Sequence, residues 1–232
     1  HNIVARPFPK FFNLEEREVT LPNENFEVFE KMDGSLGILY FLNNQPFIAT
    51  RGSFQSEQAI IATEILHTKY QHVVLNPAYT YLFEIIYPEN RVVVDYGEVK
   101  DIILLGIVDT QTGKELPLDA SVGFPLVKKY DGIKDIHSLR KLSEDNREGF
   151  VIRFKNDYRV KVKFEEYVRL HRIMTNINSS IIWEHLLENT PIEKVLENVP
   201  DEFYDWVKKV QTDLKTNFDN IEKIAKSEFK EL

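Results

Sequence analysis

Phe26-Glu27-Val28-Phe29-Glu30-Lys31-Met32-Asp33-Gly34-Ser35-Leu36 is the stretch on which the reading of this chain turns. Phe26 to Tyr40 alternates well enough to form strands, and Asp33-Gly34 is expected to make a tight turn between them. Lys31 then stands at a strand end with its amine beside that turn. Alone, a Lys-x-Asp-Gly match is weak, because ordinary composition produces one by chance in about one chain in twenty of this length. The plain alternative is a solvent-facing turn, so the rest of the chain has to decide.

Working outward, Phe41 to Pro46 reads as a hairpin connection into a strand at Phe47–Thr50. Ser56 to Tyr70 predicts a helix, with Ala59, Ile60, Ala62, Thr63, Ile65 and Leu66 forming its apolar stripe. Tyr79–Ile86 and Arg91–Val94 predict strands broken at Pro88. Ile102 to Val108 is an unbroken apolar run, expected to be a central strand buried on both faces. Phe150–Phe154 and Tyr158–Phe164 predict a hairpin turned at Asn156-Asp157. After Phe164 the texture changes to helical spacing over Glu165–Ile177, Ser180–Glu188 and Pro200–Phe229. In the last, Phe203, Val207, Val210, Leu214, Phe218, Ile221 and Ala225 recur every three or four residues. The expected architecture is an α+β domain over residues 1–164 and a small all-α domain over 165–232.

The 232 residues include 12% aromatic side chains, enough for a sizeable core, and no cysteine. That removes disulfides, thiolate metal sites and cysteine nucleophiles together. No apolar stretch approaches a membrane span and no signal peptide is visible, so a cytoplasmic protein is expected. The chain begins at His1, and a fragment missing its true N-terminus is expected. A formal charge of −8 runs against nucleic-acid binding. The balance is uneven, however. Arg153, Lys155, Arg159, Lys161, Lys163, Arg169 and Arg172 face only Asp157, Glu165 and Glu166 in that interval. A local basic face can still hold a phosphate backbone.

The remaining chemistry-bearing residues fall in suggestive places. Glu84 is a carboxylate inside the apolar strand Phe83-Glu84-Ile85-Ile86. Glu148 opens Glu148-Gly149-Phe150-Val151-Ile152. Lys161 and Lys163 alternate with valines, so a period of two puts both amines on one strand face. Each has a bland reading: a satisfied core carboxylate for Glu84, an edge strand blunted by lysines for the pair. All of them together, in this order, is improbable by chance. His67 and His72 are five apart and off one helical face, a poor metal pair. No G-x-x-x-x-G-K-[ST] phosphate loop exists.

The chain resembles the covalent nucleotidyltransferase superfamily, which holds DNA ligases, RNA ligases and mRNA capping enzymes. Within it the pattern is similar to the RNA ligase 1 family of T-even phages, to which the ligase domain of fungal tRNA ligase is related. The segments that carry this are Ala5-Arg6-Pro7 with Lys10-Phe11-Phe12-Asn13-Leu14, Lys31–Leu36, and Arg51-Gly52-Ser53 with Ser56-Glu57-Gln58-Ala59. Further on come Phe83-Glu84, Asn90-Arg91-Val92-Val93, Lys100–Leu105, Glu148-Gly149-Phe150-Val151, and Lys161-Val162-Lys163 with Tyr167-Val168. The resemblance covers His1 to about His171. It implies a nucleotidyltransferase core of antiparallel sheets flanked by helices.

It also implies roles. Lys31 would be the nucleophile, Glu84 would bind the nucleotide ribose, and Glu148 would act with a divalent metal, Mg2+ or Mn2+. Lys161 and Lys163 would hold the phosphates of ATP, and Lys10 would help at the triphosphate end. Arg51 stands where the phage enzyme has a lysine, keeping the charge but changing the donor geometry. The family's essential arginine upstream of the Arg-Pro segment is not found, and Arg6 or Arg51 are the cations that could replace its charge. The implied function is ATP-dependent joining of RNA 3′-hydroxyl and 5′-phosphate ends. Implied partners are RNA, including tRNA with a broken anticodon loop, and end-healing kinase or phosphatase domains.

The chemistry asks for such residues. A free lysine amine has a pKa of about 10.4, so making it neutral at pH 7 requires roughly 4.6 kcal/mol. Neighbouring cations reduce that requirement and stabilise the charge spread over the phosphates. Two rivals stand beside the RNA ligase reading. A GTP-using capping enzyme or a DNA ligase normally carries an OB-fold after the last lysine strand, where helices are expected here. A non-catalytic RNA-binding module on the same fold would not need Lys31, Glu84, Glu148, Lys161 and Lys163 together.

Overall fold

The computed structural model describes residues 3–14, 21–139, 142, 144–176, 179–188, 190–191, 194 and 204–230. It divides into two compact units, residues 1–168 and 169–232. The first is built on two five-stranded sheets. One runs in the order β1 (Phe12–Asn13), β10 (Arg159–Lys163), β9 (Gly149–Phe154), β2 (Phe26–Lys31), β8 (Lys129–Tyr130). The other runs β4 (Gln45–Thr50), β3 (Ser35–Leu42), β5 (Tyr79–Ile86), β6 (Asp101–Asp109), β7 (Glu115–Leu116). All pairings are antiparallel except the parallel contact of β1 with β10.

This corrects the opening expectation. β2 and β3 do not pair across a tight turn. β2 pairs with β8 and β9, β3 with β4 and β5, so Met32-Asp33-Gly34 carries the chain from one sheet to the other. Gly34 is not among the residues of positive φ. It is required by space: a Cβ there would lie 2.5 Å from the Ile85 carbonyl and 2.7 Å from Ile86 Cδ1.

Helix α1 (Glu57–Lys69) covers one face of the second sheet. Ser56 caps it, its side chain accepting from the Ala59 amide at 3.2 Å, as N-cap serines do. Ala62, Ile65 and Leu66 bury themselves against Leu39, Ile48, Phe83, Ile85, Ile102 and Leu104. At about 1.5–3 kcal/mol per large buried side chain, this layer is a major contribution to the unit's stability. The run from Ile102 to Val108 is interior as expected: Ile102, Leu104 and Ile107 enter the core under α1, and Val108 on the other face is buried with Ile38 and Leu82. Earlier on that second face Ile103 and Leu105 are half-buried, and Leu105 lines a cavity.

Arg91–Val94 is not a strand. The Val93 and Val94 amides donate to the Asp33 carboxylate, both at 2.8 Å, instead of to a neighbouring strand. The hairpin of β9 and β10 does turn at Asn156-Asp157, with Asp157 in the left-handed region at φ 61°.

A four-residue helix α2 (Ile136–Leu139) precedes β9, and α3 (Glu165–Asn176) follows β10 across the division between the units. In the second unit α4 (Ser179–Leu187) packs on α5 (Tyr204–Lys230), with Trp183 and Phe218 ring centroids 5.3 Å apart. Phe203, expected in the α5 stripe, lies outside the described residues. Val207 is fully buried, whereas Phe218 and Ile221 further along are largely exposed. No helix among the described residues is long and apolar enough to cross a membrane.

Candidate active site

Cross-strand register sorts one face of the first sheet into three rows. Lys31, Gly149 and Lys163 lie opposite one another, then Phe29, Val151 and Lys161, then Glu27, Arg153 and Arg159. Directly opposed residues of an antiparallel sheet share a face. That face opens on a cavity of about 530 Å³, lined by Lys31, Phe29, Val151, Lys161, Arg153 and Arg159. The second sheet contributes Glu84, Leu36 and Leu105, and the loop after β4 contributes Arg51. The N-terminal segment closes another side with Phe8, Lys10 and Phe11.

The first row holds the sharpest geometry. Lys31 Nζ lies 2.6 Å from Glu148 Oε2, and Lys163 Nζ lies 2.8 Å from Glu148 Oε1. Glu148 is 3% exposed, so one buried carboxylate bridges two amines. Gly149 makes this placement work. It takes φ +148°, and a Cβ there would lie 2.0 Å from the Val162 carbonyl, so only glycine fits. The bend delivers the carboxylate of Glu148 to the face that carries Lys31 and Lys163.

Glu84, on β5, reaches the same place from the other sheet. Its Oε1 accepts from the Gly34 amide at 2.9 Å. Burial pushes its carboxyl up to about 8, with Glu148 and Asp33 adding to the rise and Lys31 and the Gly34 amide opposing it. Near neutrality this carboxyl is largely protonated, and can donate one hydrogen bond and accept others.

Lys161 lines the cavity, its Nζ 5.9 Å from the Phe11 ring centroid. Lys10 lines it too, with Nζ 4.9 Å from the Phe12 ring centroid. Lys10, Lys31, Arg51, Glu84 and Lys161 therefore share one cavity, and Glu148 and Lys163 join it through ion pairs to each other and to Lys31. Arg6 does not join them. Its guanidinium donates to the carbonyls of Thr110 at 3.0 Å and Gln111 at 3.1 Å. Of the two arginines considered for the missing upstream charge, only Arg51 lines the cavity.

Two features escaped the sequence. Asp33 is a buried anchor: besides the Val93 and Val94 amides it accepts the Tyr167 hydroxyl at 2.7 Å, and its own amide donates to the Tyr96 hydroxyl at 2.9 Å. A buried carboxylate with three donors, and a backbone amide tied to a fourth neighbour, fix the crossover after Lys31. Burial, then the nearby Glu148 and Asp33, raise the Tyr167 hydroxyl well above the usual phenol range. The second is the ionic network of the third row. Arg153 pairs with Glu27 at 2.5 Å and Glu115 at 3.0 Å, Arg159 pairs with Glu115, and Lys129 pairs with Glu27 at 2.7 Å.

Two largely antiparallel sheets with a lysine, two carboxylates and further cations around one cavity match the nucleotidyltransferase core expected from the sequence. An RNA ligase family model of the T4 type matches residues 1–168, and the chain belongs to that family. A protein of Thermovibrio ammonificans with a provisional RNA ligase name is 30% identical over 208 residues, covering 81% of this chain and 53% of the relative. One from Autographa californica nuclear polyhedrosis virus, provisionally named a bifunctional polynucleotide kinase/RNA ligase, is 25% identical over 203 residues, covering 73% of this chain and 29% of the relative. An archaeal ATP-dependent RNA ligase structure superposes with a TM-score of 0.56 at 18% identity, over 89% of this chain and 62% of that one, and so shares the fold. The chain spans about half the length of the first relative and under a third of the second.

Proposed function

We propose that the chain carries the nucleotidyl-transfer centre of an ATP-dependent RNA ligase, with Lys31 as the residue that takes AMP. The observation that carries the reading is the Lys31–Glu148–Lys163 bridge, set at the wall of the cavity that Lys10, Arg51, Glu84 and Lys161 also line. In the first step Lys31 Nζ, having released a proton, attacks the α-phosphorus of ATP. A nitrogen–phosphorus bond forms, the α–β anhydride breaks, and pyrophosphate leaves. Lys161, Lys163, Lys10 and Arg51 offset the charge that builds on the phosphates. In the second step an RNA 5′-phosphate oxygen attacks the bound AMP and Lys31 leaves as an amine. In the third a 3′-hydroxyl loses its proton and attacks the activated 5′-phosphate. A phosphodiester forms and AMP departs.

A divalent cation fits this centre in a particular way. Among the described residues no three His, Asp or Glu side chains cluster as a metal site. Magnesium is commonly held by one or two carboxylates with water and substrate phosphates, rather than by an all-protein cage. Glu148 is the side chain that would hold Mg2+ or Mn2+, and the ion would supply charge neutralisation at the phosphates. Glu84 is proposed to hold the ribose, its raised carboxyl able to donate to one hydroxyl and accept from another.

The proposal assigns adenylyl transfer to residues 1–164 and choice or grip of the RNA to the helical residues 165–232. The RNA is proposed to include tRNA with a broken anticodon loop, sealed in the cytoplasm after a kinase and phosphatase have healed the ends. The kinase/ligase name of the viral relative supports that pairing. The test is mass spectrometry of the chain after incubation with Mg2+ and either ATP or GTP. An AMP adduct that Lys31→Ala abolishes is expected. An adduct from GTP alone would favour a capping enzyme, and nucleotide-independent RNA binding without any adduct would favour a non-catalytic module.

A further inference from the structure

The hairpin of β3 and β4 carries aromatic side chains that the core does not use. Leu36, Ile38 and Tyr40 share one face of β3 by the strand's period of two. Across the hairpin Ile38 lies opposite Ala49, and Tyr40 opposite Phe47. Leu36 lines the Lys31 cavity, so this face runs outward from the cavity wall. Tyr40 stands roughly 13 Å along it. The loop after β4 turns back on itself, Thr50 Oγ1 donating to the Ser53 carbonyl at 3.2 Å. That loop sends Arg51 to the cavity and brings Phe54 against Tyr40, edge-on, with ring centroids 5.1 Å apart. Three residues of chain reach about 10 Å at most, so the Phe54 backbone stays within that distance of Arg51.

Tyr40 also stacks on Phe47 at 5.9 Å, and Phe47 meets His67 edge-on at 5.5 Å. His67 is held in turn by the Pro46 carbonyl, 2.6 Å from its Nε2. The rings thus form a continuous chain at the surface. Tyr40, Phe47 and Phe54 lie outside the cores packed on the two faces of the second sheet, and Phe54 is 64% exposed. A single exposed ring is ordinary, but a linked group beside a reaction cavity marks a docking surface. Its charge indicates the occupant. From Gly34 to Ser56 there is no acid and one cation, Arg51, although 37 acids spread evenly over 232 residues would put about three or four there. A polyanion meets no acid on this hairpin, on a chain that repels it elsewhere. The patch is far smaller than the roughly 800 Å² per partner of a stable protein interface, and one cation does not hold a lipid surface. Bases stacking on aromatic rings need little area and few charges.

We propose that Phe54, Tyr40 and Phe47 are a stacking platform for unpaired bases of the RNA strand whose end enters the cavity, a few nucleotides from the reacting phosphate. Phe54 offers the most exposed ring, and Arg51 stands between platform and cavity. The platform favours single-stranded ends, because bases stacked inside a helix have no free face to offer it. It reads no sequence, since every base has such a face. A strand bearing the 5′-phosphate and one bearing the 3′-hydroxyl offer the same chemistry here, and the experiment below separates them. The inference rests on the reading of the chain as an RNA ligase.

The test begins with the unmodified protein. Fluorescence anisotropy measures its Kd for a short single-stranded RNA with a 5′-phosphate and a 3′-hydroxyl, for the same RNA in a blunt duplex, and for a series carrying one abasic residue at each position in turn. The single strand should bind more tightly than the duplex. One or two abasic positions near one end should raise Kd about fivefold to a hundredfold, the range for a lost base–aromatic stack. Sensitivity near the 5′ end assigns the platform to the phosphate-bearing strand, and near the 3′ end to the hydroxyl-bearing one. Phe54→Ala should raise Kd by a similar factor and erase the position dependence, and Phe54→Trp should restore both. A flat abasic series, or no binding of the single strand, overturns the platform. Lysyl-AMP formation from ATP alone is followed in parallel and needs no RNA. An adduct with a flat series leaves the ligase reading standing without the platform. Position-dependent binding without an adduct supports the platform and removes the ligase reading. Should Phe54→Ala prove unfolded, the abasic series on the unmodified protein still decides.

Discussion

Replacing Tyr167 by Phe removes one oxygen atom, and with it the bond to Asp33 and the contact with Glu148. The ring is 4% exposed and Asp33 is 5% exposed, so phenylalanine keeps the packing and no water replaces the hydroxyl. The hydroxyl lies 2.7 Å from Asp33 Oδ1, while the Val93 and Val94 amides occupy Oδ2. The variant leaves a buried carboxylate oxygen short of a donor, which costs about 1.5–3 kcal/mol. With a urea m-value of about 2 kcal/mol/M, the midpoint should fall by roughly 1 M. Both tryptophans, Trp183 and Trp206, lie in the second unit, so tryptophan fluorescence would follow the wrong part of the chain. Near-ultraviolet circular dichroism of the tyrosines is the better probe, together with hydrogen exchange at Val93 and Val94, whose protection should drop about tenfold or more. A loss under about 0.5 kcal/mol, within the range of an ordinary surface change, with unchanged exchange at both valines would refute the anchoring role of Asp33.

Three further outcomes are expected. Glu84 has a folded pKa raised to about 8 from 4.5, so the folded state holds its proton more tightly; stability should fall as pH rises from about 4.5 to 8 and level off above. Because the carboxyl borders the cavity, the loss should be on the order of 1–3 kcal/mol, and Glu84→Gln should flatten it in denaturation curves taken across that range. Lys161→Ala and Lys163→Ala should each slow lysyl-AMP formation by on the order of 100-fold, read by radiolabelled ATP, and near-normal rates in both would remove them from the phosphate site. Gly149→Ala should destabilise the first unit by about 3 kcal/mol or more, since it combines a strained φ with a backbone clash; a thermal shift of less than a degree or two would contradict the packing described around Glu148.

Local pattern carried much of this into the sequence. The alternation from Phe26 to Tyr40, the apolar stripe within Ser56 to Tyr70 and the Asn156-Asp157 turn are short-range signals, and each names its element. Lys161 and Lys163 could be placed on one face because strand period is local too. What the sequence concealed depends on partners far along the chain. Asp33-Gly34 reads as a turn because both residues favour turns, but Gly34 is there for space against Ile85 and Ile86, 51 and 52 positions away. Val93 and Val94 look like strand residues, and nothing nearby reveals that Asp33 takes their amides. Glu115 is one acid among many until β9 and β10 bring Arg153 and Arg159 to it.

The three rows make the sheet a ruler. Lys31, the pair Phe29 and Val151, and Arg153 are spaced by the repeat of the strand itself, and their alignment depends on β2, β9 and β10 keeping one register. A slip of one residue would turn Lys31 toward the opposite face; a slip of two would keep every apolar residue on its side and still carry the Lys31 amine out of the row it shares with Gly149 and Lys163. A two-residue insertion within β2 is thus a different kind of lesion from a lost side chain. It can leave a well-packed protein whose parts are all present and whose graduations no longer match the molecule being measured.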